Sequence, residues 1–315
     1  MLRIAIAGGA RLGMSMVEPL LHSRHEVVAV VQDGRRTRGW NRVVQPAMAR
    51  VLGGPFSMPG QARALGLPLV WIDKMTETEL DPLRKLDIDL LLVSGFGIIL
   101  KQPLLDLPRI GCVNCHSSLL PRHRGPNPFA AVLLSDDDET GVTFHVMERG
   151  IDTGDILDQG SFALRPTDTV LTVYRRCCEL AASRVVPLVD RIEREGLRGT
   201  PQDADKATYE KNPSVADAWI DWTRSASKID RQIRALGPSP APRFRFRGRT
   251  VYVLRAKPSS IPLDAEPGTV IENRGFVKVA TGQGTILLQG AFTPGPVPWF
   301  WPAPWCRPRL GEKLE

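Results

Sequence analysis

The chain alternates short apolar runs with segments whose apolar residues recur at helical spacing. The first run, residues 2–8, precedes a glycine turn, a helical pattern and a second run at 26–33, which together predict a βαβ unit. Later runs are almost wholly apolar, as expected for strands buried on both faces of a parallel sheet. They span 68–72, 88–95, 110–116 and 141–147, and the helical patterns between or after them include 79–86 and 169–196. The pattern predicts an α/β fold built on a Rossmann-like open, mostly parallel sheet.

A different pattern begins after residue 200. Residues 201–217 are polar and lack periodicity, whereas 224–236 has helical spacing and ends at Gly237 and Pro238. Short strand-like runs separated by Gly and Pro then follow at 250–256, 268–272, 275–281 and 284–290. Such a set is typical of a small β-barrel or a β-sandwich. We therefore predict a large domain at 1–200, a linker at 201–217, and a smaller OB-like β-barrel domain at 218–315 that includes a Pro/Trp-rich tail at 294–308.

Composition narrows the function classes. No apolar run reaches the roughly eighteen residues of a membrane-spanning helix, and the first residues read as a strand and not as a signal peptide. We therefore expect a cytoplasmic protein with reduced cysteines. The net charge is +7, and the segment from Lys206 onward holds 17 basic against 9 acidic residues. A basic domain suits an anionic partner such as nucleic acid, although a solvated basic surface has the same composition.

The glycine turn after the first strand has the spacing G-G-x-x-x-G. It differs from the G-x-G-x-x-G of dinucleotide-binding proteins, although Asp33 stands near the acidic position of that motif. The turn therefore gives little support to nucleotide binding.

The string Cys112-Val113-Asn114-Cys115-His116 spells the C-x-x-C-H of c-type haem attachment. Side chains alternate along a strand, so Cys112 and Cys115 are expected on opposite faces, which disfavours haem, zinc and a dithiol alike. Asn114 and His116 share a face at the carboxyl end of the strand, where open α/β sheets bind ligands. An amide donor beside an imidazole suits acyl-group chemistry, yet two side chains satisfied by turn backbone would look the same.

The downstream sequence favours the chemical interpretation. The runs 114-NCHSSLLPRHRGPNPF-129 and 139-ETGVTFHVMERGIDTGDIL-157 resemble the formyltransferases that use 10-formyltetrahydrofolate. In that family an Asn-x-His strand end precedes a Ser-Leu-Leu-Pro-x-x-x-Gly loop, and an Asp-x-Gly follows a Glu-Thr-Gly-Val-Thr strand. Asn114, His116 and Asp152 fall on the catalytic positions of this pattern.

The resemblance implies 10-formyltetrahydrofolate as co-substrate, with no metal and no haem. Asn114 is expected to donate to the developing oxyanion, His116 to assist by charge or proton transfer, and Asp152 to orient His116 and a relaying water. The pterin ring is expected against three loops. The residues predicted to contact the co-substrate are Ser94, Gly95, Phe96, Gly97, Ile98, Ser118, Leu119, Leu120, Pro121, Glu148, Arg149, Gly150 and Ile151.

The C-terminal third resembles the corresponding domain of methionyl-tRNA formyltransferases over 219–236, 248–256 and 267–271. This implies the amino group of initiator methionyl-tRNA as acceptor. The arginines at 243, 245, 247 and 249 are expected along one strand face, where they suit phosphate contact or, alternatively, a solvated edge strand. The predicted acceptor-binding residues are Arg11, Arg35, Arg36, Arg38, Trp40, Arg42, Arg245 and Arg247.

Two departures from the tRNA-enzyme pattern leave another acceptor open. The loop 33–56 differs in sequence and length, and residues 124–128 read Arg-Gly-Pro-Asn-Pro in place of Arg-Gly-Ala-Ala-Pro. Both favour an amino sugar nucleotide or another small-molecule amine. A formyltetrahydrofolate hydrolase and a non-catalytic nucleotide-binding module are remoter alternatives, disfavoured by the C-terminal domain and by the triad respectively.

Overall fold

The computed structural model describes residues 1–8, 11–37, 58–135, 137–237, 240–261, 264–293, 299–301 and 307–315. These residues form two compact units. The first comprises 1–128, 139–164 and 174–210, and the second comprises 129–138, 165–173 and 211–315. Residues 201–210 of the predicted linker therefore group with the first unit.

A seven-stranded sheet, as far as the described residues go, lies at the centre of the first unit in the order β3-β2-β1-β4-β5-β6-β7. Strands β1 to β5 pair in parallel, and β6 and β7 are antiparallel. The strands are β1 Arg3–Gly8, β2 Glu26–Asp33, β3 Leu69–Ile72, β4 Leu90–Ser94, β5 Gly111–His116, β6 Glu139–Val146 and β7 Ile156–Ala163. The predicted Rossmann-like, mostly parallel sheet is confirmed.

Helices flank these strands in sequence. The helix at Glu77–Arg84 begins with a capping box. The Thr76 side chain accepts from the Glu79 N–H, and the Glu79 carboxylate accepts from the Thr76 N–H. The helices are α1 Arg11–Leu21, α2 Met58–Ala64, α3 Glu77–Arg84, α4 Gln102–Leu105, α5 Pro128–Leu134 and α6 Val170–Glu195. Short 3₁₀ turns cover Gly34–Thr37, Ala204–Lys206 and Ala216–Ala218. No helix of the described ranges is long and apolar enough to cross a membrane.

Close packing explains the glycines at the start of the chain. A Cβ on Gly8 would lie 2.4 Å from the Ser94 carbonyl oxygen, and one on Gly13 would lie 2.9 Å from the Met58 sulfur. Glycine is therefore needed at both positions so that β1 and α1 can approach their neighbours closely. This packing accounts for the two glycines without a role in nucleotide binding.

Strand β7 is absent from the sequence predictions. Its residues alternate between half-buried or buried and exposed positions, and its exposed face includes Gln159 and Ser161. An edge strand with one solvated face lacks the continuous apolar run that marks the central strands. The pattern of apolar residues therefore predicts the buried central strands but not the edge strand β7.

The second unit contains helix α7 Ala226–Leu236 and an antiparallel sheet in the order β10-β11-β12-β9-β8, with β13 paired to β12. Its strands are β8 Arg243–Phe246, β9 Arg249–Ser259, β10 Val270–Glu272, β11 Val277–Ala280, β12 Thr285–Thr293 and β13 Trp299–Trp301. The core joins apolar residues of α7, such as Ile229, to inward-facing strand residues such as Phe244, Val251 and Ile286. This agrees with the smaller domain, a helix followed by the short strands of an OB-like β-barrel, expected from the sequence.

Candidate active site

Strand β5 separates the two cysteines of the C-x-x-C-H string from each other. Cys112 packs in the core cluster, where its thiol donates to the Leu104 carbonyl at 3.8 Å, whereas Cys115 lies on the side of Cys177 and Cys178. Burial raises the pKa of Cys112 to about 12 and the pKa of Cys115 well above its ordinary value. Both thiols are therefore packed and protonated.

Neither cysteine belongs to a metal-ligand cluster. Across the described ranges, the potential ligand group is His25, Asp190 and Glu193, which lies elsewhere on the chain. Arg24 pairs with both of its carboxylates, so the group is already occupied by protein cations.

The three predicted catalytic residues meet in one place. The Asp152 carboxylate Oδ1 lies 3.3 Å from Asn114 Nδ2 and 3.6 Å from His116 Nδ1. Its other oxygen, Oδ2, accepts the Gly125 N–H at 2.9 Å. Asp152 itself has a left-handed backbone, with φ of 54°. An Asp-x-Gly turn thus carries the carboxylate across to the end of β5.

The surroundings keep Asp152 ionised. Burial by itself raises the pKa of Asp152, but the contact with His145, the charge that His116 gains on protonation and the Gly125 N–H outweigh it and lower the pKa to about 2. A carboxylate that accepts several N–H groups resists protonation. Asp152 is therefore a fixed negative charge at neutral pH.

His116 has the opposite bias. It is 6% exposed, and this burial lowers its pKa below 6.5, although the Asp152 carboxylate opposes the shift. Its Nε2 lies 2.8 Å from the His123 carbonyl oxygen, which only an N–H can satisfy. The proton of neutral His116 therefore sits on Nε2, and the Nδ1 lone pair points toward Asp152.

A second histidine, which sequence reasoning missed, completes the cluster. His145 lies directly opposite Asn114 in the β5–β6 pairing, is 2% exposed, and places Nε2 3.1 Å from Asn114 Nδ2 and 3.5 Å from Asp152 Oδ1. Its Nδ1 donates to the Val146 carbonyl at 2.8 Å, which leaves Nε2 to accept from the Asn114 amide. The sequence signal that could have identified His145 is its position as a lone histidine within the apolar run 141–147.

The predicted co-substrate residues lie in three loops. The first, after β4, includes buried Ser94, which donates to the Cys115 carbonyl, and Gly95, with φ of 59°. Phe96 and Ile98 are half-buried and pack on the core cluster, and Gly97 is exposed.

The second loop follows β5. The Ser118 hydroxyl donates to the Arg122 carbonyl at 2.7 Å, and the Leu120 N–H donates to Thr143. Leu119 is half-buried, and the Leu120–Pro121 peptide is cis.

The third loop follows β6. Glu148 accepts from the Thr153 hydroxyl, Arg149 bonds to Gln102, and Ile151 is 43% exposed. A Cβ on Gly150 would overlap the Thr153 side chain. Contact of all three loops with a folate stays a prediction.

The predicted acceptor arginines of the first unit have different surroundings. The Arg35 guanidinium donates to both oxygens of the Asp33 carboxylate and also to the Gly97 carbonyl. Arg35 therefore joins the end of β2 to the first co-substrate loop. Arg11 opens α1 and is exposed, and Arg36 lies in a 3₁₀ turn. Arg38, Trp40 and Arg42, most of the loop 33–56, and most of the tail 294–308 lie outside the described residues.

The expected single face of arginines in the second unit is wrong. Arg243 and Arg245 share a face of β8, but Arg247, with φ of 48°, and Gly248 form a hairpin turn that leads into Arg249 on β9. A two-residue turn ends the alternation. Arg247 is bound by both oxygens of Glu312, at 2.7 and 2.8 Å.

Arg243 and Arg245 instead lie on aromatic rings. Their guanidinium carbons are 5.9 and 5.3 Å from the Trp219 ring centre, and Arg243 is 4.8 Å from that of Tyr252. Tyr252 stacks on Phe292 with centroids 5.4 Å apart. These five residues, named here the arginine–aromatic patch, are half-buried except for Arg245, which is exposed.

Comparison with known proteins gives close sequence relatives. A methionyl-tRNA formyltransferase from Dechloromonas aromatica is 32% identical over 288 residues, covering 91% of this chain and 90% of that protein. Another, from Parvibaculum lavamentivorans, is 33% identical over 294 residues, covering 92% and 91%.

Solved structures share the fold. The N-formyltransferase from Helicobacter canadensis, in complex with folinic acid and dTDP-3-aminofucose, superposes with a TM-score of 0.67 at 19% identity over 92% of this chain and 99% of that one. HypX from Aquifex aeolicus has a TM-score of 0.65 at 16% identity, over 96% of this chain and 47% of that one.

The family matches cover both units. Residues 2–189, more than half of the chain, match the Formyl transferase family, and residues 213–295 match the family's C-terminal domain. This protein therefore belongs to the formyl transferase family and is a transferase enzyme.

Proposed function

We propose that this protein transfers the formyl group of 10-formyltetrahydrofolate to the amino group of methionine on initiator tRNA. The observation that carries the transfer chemistry lies at the end of β5. There Asp152 Oδ1 is 3.3 Å from Asn114 Nδ2 and 3.6 Å from His116 Nδ1. Relatives named methionyl-tRNA formyltransferase, at 32–33% identity over nearly the whole chain, support the acceptor.

Asn114 supplies the donor for the formyl oxygen. One of its two amide N–H groups is held by His145 at 3.1 Å, and the other makes a 3.3 Å contact with Asp152. That contact is long for a charge-assisted hydrogen bond, so this N–H is the one free to turn to the formyl oxygen as it gains negative charge.

His116 accepts the proton that the attacking amine loses. The His123 carbonyl holds its Nε2 proton, which leaves the Nδ1 lone pair as the base. Because burial lowers its pKa, His116 is neutral at pH 7 and ready to accept. Proton uptake then produces an imidazolium ion with Nδ1 facing a carboxylate.

Asp152 stabilises that imidazolium ion. Its pKa of about 2 keeps it negative throughout the physiological range, 3.6 Å from His116 Nδ1. The N–H of Gly125 fixes the second carboxylate oxygen, so the first one stays directed at the imidazole. The carboxylate also orients a water that relays this proton to N10 of the folate, so that the bond between N10 and the formyl carbon breaks and tetrahydrofolate leaves as the neutral amine.

The arginine–aromatic patch is the surface we assign to the tRNA. Arginines held flat on aromatic rings bind phosphates and stack on bases with little loss of side-chain freedom. Arg243 and Arg245 project from one face of β8, and the segment from Lys206 onward holds 17 basic residues against 9 acidic ones. Electrostatic attraction of this kind weakens steeply with salt.

A sugar amine is the second candidate. The solved N-formyltransferases that share this fold include one described with dTDP-3-aminofucose, and the loop 33–56 departs from the tRNA-enzyme pattern. A comparison of acceptors decides between them. Purified protein and 10-formyltetrahydrofolate are offered initiator methionyl-tRNA or dTDP-amino sugars, and formylated product is quantified.

The tRNA proposal expects kcat/KM for methionyl-tRNA at least about a hundredfold above that for any amino sugar, and the reverse order would replace it. The paired change Arg243→Ala and Arg245→Ala should raise the KM for tRNA about tenfold and flatten its salt dependence. Arg84→Ala, which removes an exposed arginine of α3, is the charge-matched control for each of the single variants Arg243→Ala and Arg245→Ala.

The catalytic assignment has its own test. Asn114→Ala and His116→Ala should each reduce formyl transfer at least about a hundredfold, the effect of losing an oxyanion donor or a general base. Near-full activity in either variant would remove the proposed mechanism, whichever acceptor is used.

A further inference from the structure

Gln202 joins the two loops that position the catalytic aspartate. Its side-chain N–H groups donate to the backbone carbonyls of Asp152 at 2.9 Å and Gly154 at 2.8 Å. Its side-chain oxygen accepts from Arg124, at 3.2 Å from Nε and 2.7 Å from Nη2. The residue comes from the segment that the sequence predicts to be a linker, and all of these partners belong to the first unit.

Only a carboxamide matches this set of partners. The two carbonyls require two N–H donors on one side, and the Arg124 guanidinium requires an acceptor on the other. Glutamate at 202 would keep an acceptor for Arg124 but direct a carboxylate oxygen at the two carbonyls. Leucine would fill a similar volume without any polar group.

Both loops held by Gln202 determine where the Asp152 carboxylate lies. Asp152 has φ of 54°, a conformation that is strained for a non-glycine residue and persists only when its surroundings impose it. The residue after Arg124 is Gly125, whose N–H holds Asp152 Oδ2 at 2.9 Å. Gln202 therefore anchors the backbone of Asp152 on one side and the loop that binds its carboxylate on the other.

We propose that Gln202 is a positioning residue that keeps the Asp152 carboxylate beside His116. Without it the Asp152 turn relaxes from its left-handed conformation, and the 3.6 Å approach to His116 Nδ1 lengthens. The meaning of this role for catalysis rests on the proposed function, whereas the positioning itself does not. His116 reports it directly, since a nearby carboxylate raises the pKa of an imidazole.

The experiment is a double-mutant cycle on the full-length protein, read by NMR titration of ¹⁵N-labelled histidine. Gln202→Leu, Asp152→Asn and the double variant are compared with the wild type, and His116→Gln assigns the signal. We expect Gln202→Leu to lower the pKa of His116 by about half a pH unit in the wild-type background. It should change nothing in the Asp152→Asn background, because the charge it positions is gone.

Two further variants separate positioning from general loss of stability. Gln232 makes the same kind of contact in the second unit, donating to the carbonyls of Asp217 and Trp219, so Gln232→Leu should leave the His116 titration unchanged. Gln202→Met also lacks the two N–H donors, adds no charge near His116 and should reproduce the shift, which also covers the case in which Gln202→Leu fails to fold.

An equal shift in both Asp152 backgrounds, or none in the wild-type background, would overturn the proposal. With the accepted amine, Gln202→Leu should also reduce kcat about tenfold and change the folate KM less than threefold. If neither acceptor is formylated while the NMR cycle holds, the proposed function fails and the role of Gln202 stands.

Discussion

Replacing Asp152 by asparagine removes one charge from the site and also removes the acceptor of one Asn114 N–H. The amide oxygen of asparagine still accepts the Gly125 N–H, and its nitrogen takes the place of the carboxylate oxygen beside Asn114 and His116. The geometry of the turn is therefore retained, while the partner of the imidazolium ion becomes neutral.

The distance sets the size of the effect. Opposite unit charges 3.6 Å apart attract by about 4.6 kcal/mol at an effective dielectric constant of about 20, and by about 1 kcal/mol in bulk water. These limits correspond to roughly a two-thousandfold and a sevenfold loss of rate. The side chains of Asp152 and His116 are only 13% and 7% exposed, so the effective dielectric constant lies between these two limits. We therefore expect kcat to fall about a hundredfold.

The assay is the pH dependence of formyl transfer. Activity in the wild type falls on the acid side as His116 becomes protonated, whereas Asp152, with a pKa of about 2, stays ionised over that range. Losing the carboxylate lowers the pKa of His116 further, so the acid limb of Asp152→Asn should lie at lower pH than in the wild type. A variant within threefold of wild-type kcat, or an acid limb at higher pH, would refute the reasoning.

Three more predictions follow from the same contacts. His145→Ala should reduce kcat about tenfold with little effect on KM, because the Asn114 amide loses its orienting acceptor; an unchanged kcat would contradict this. Gly125→Ala should lower both stability and activity, since φ is 114° and a Cβ would lie 2.3 Å from the Glu210 carbonyl oxygen; thermal unfolding and kcat measure this, and a wild-type melting temperature would count against it. Cys115→Ser should keep near-full turnover while burying a hydroxyl that costs about 1–3 kcal/mol, seen as a melting temperature lower by several degrees. Lost turnover in a folded Cys115→Ser protein would mean that this side chain faces the site.

Local pattern predicts much of the fold. The central strands are continuous apolar runs, and their predicted spans agree with the observed strands to within a few residues, as at 88–95 against Leu90–Ser94. Edge strand β7 lacks this pattern because one of its faces is solvated. The hairpin turn at Arg247 and Gly248 also escaped the sequence reading, because alternating arginines look the same along one strand or around a tight turn.

The candidate site divides in the same way. Strand alternation places Asn114 and His116 on one face and the cysteines on opposite sides, and the Asp-x-Gly motif points to Asp152. Those inferences need only the alternation of side chains along a strand and a short sequence motif. The assignment of the catalytic roles remains a prediction that the variants above test.

The sequence by itself indicated the class of enzyme, which the family match confirms, and the residues proposed to bear its chemistry, because motif and strand period are local properties of the chain. Only the tertiary structure decided which partners set their protonation and position. The antiparallel register brings His145 to Asn114, the fold of the loop after β5 brings the His123 carbonyl to His116, and the segment after α6 brings Gln202 to the Asp152 turn. These contacts join residues 7 to 50 positions apart, and strand register and loop packing, not composition, determine them.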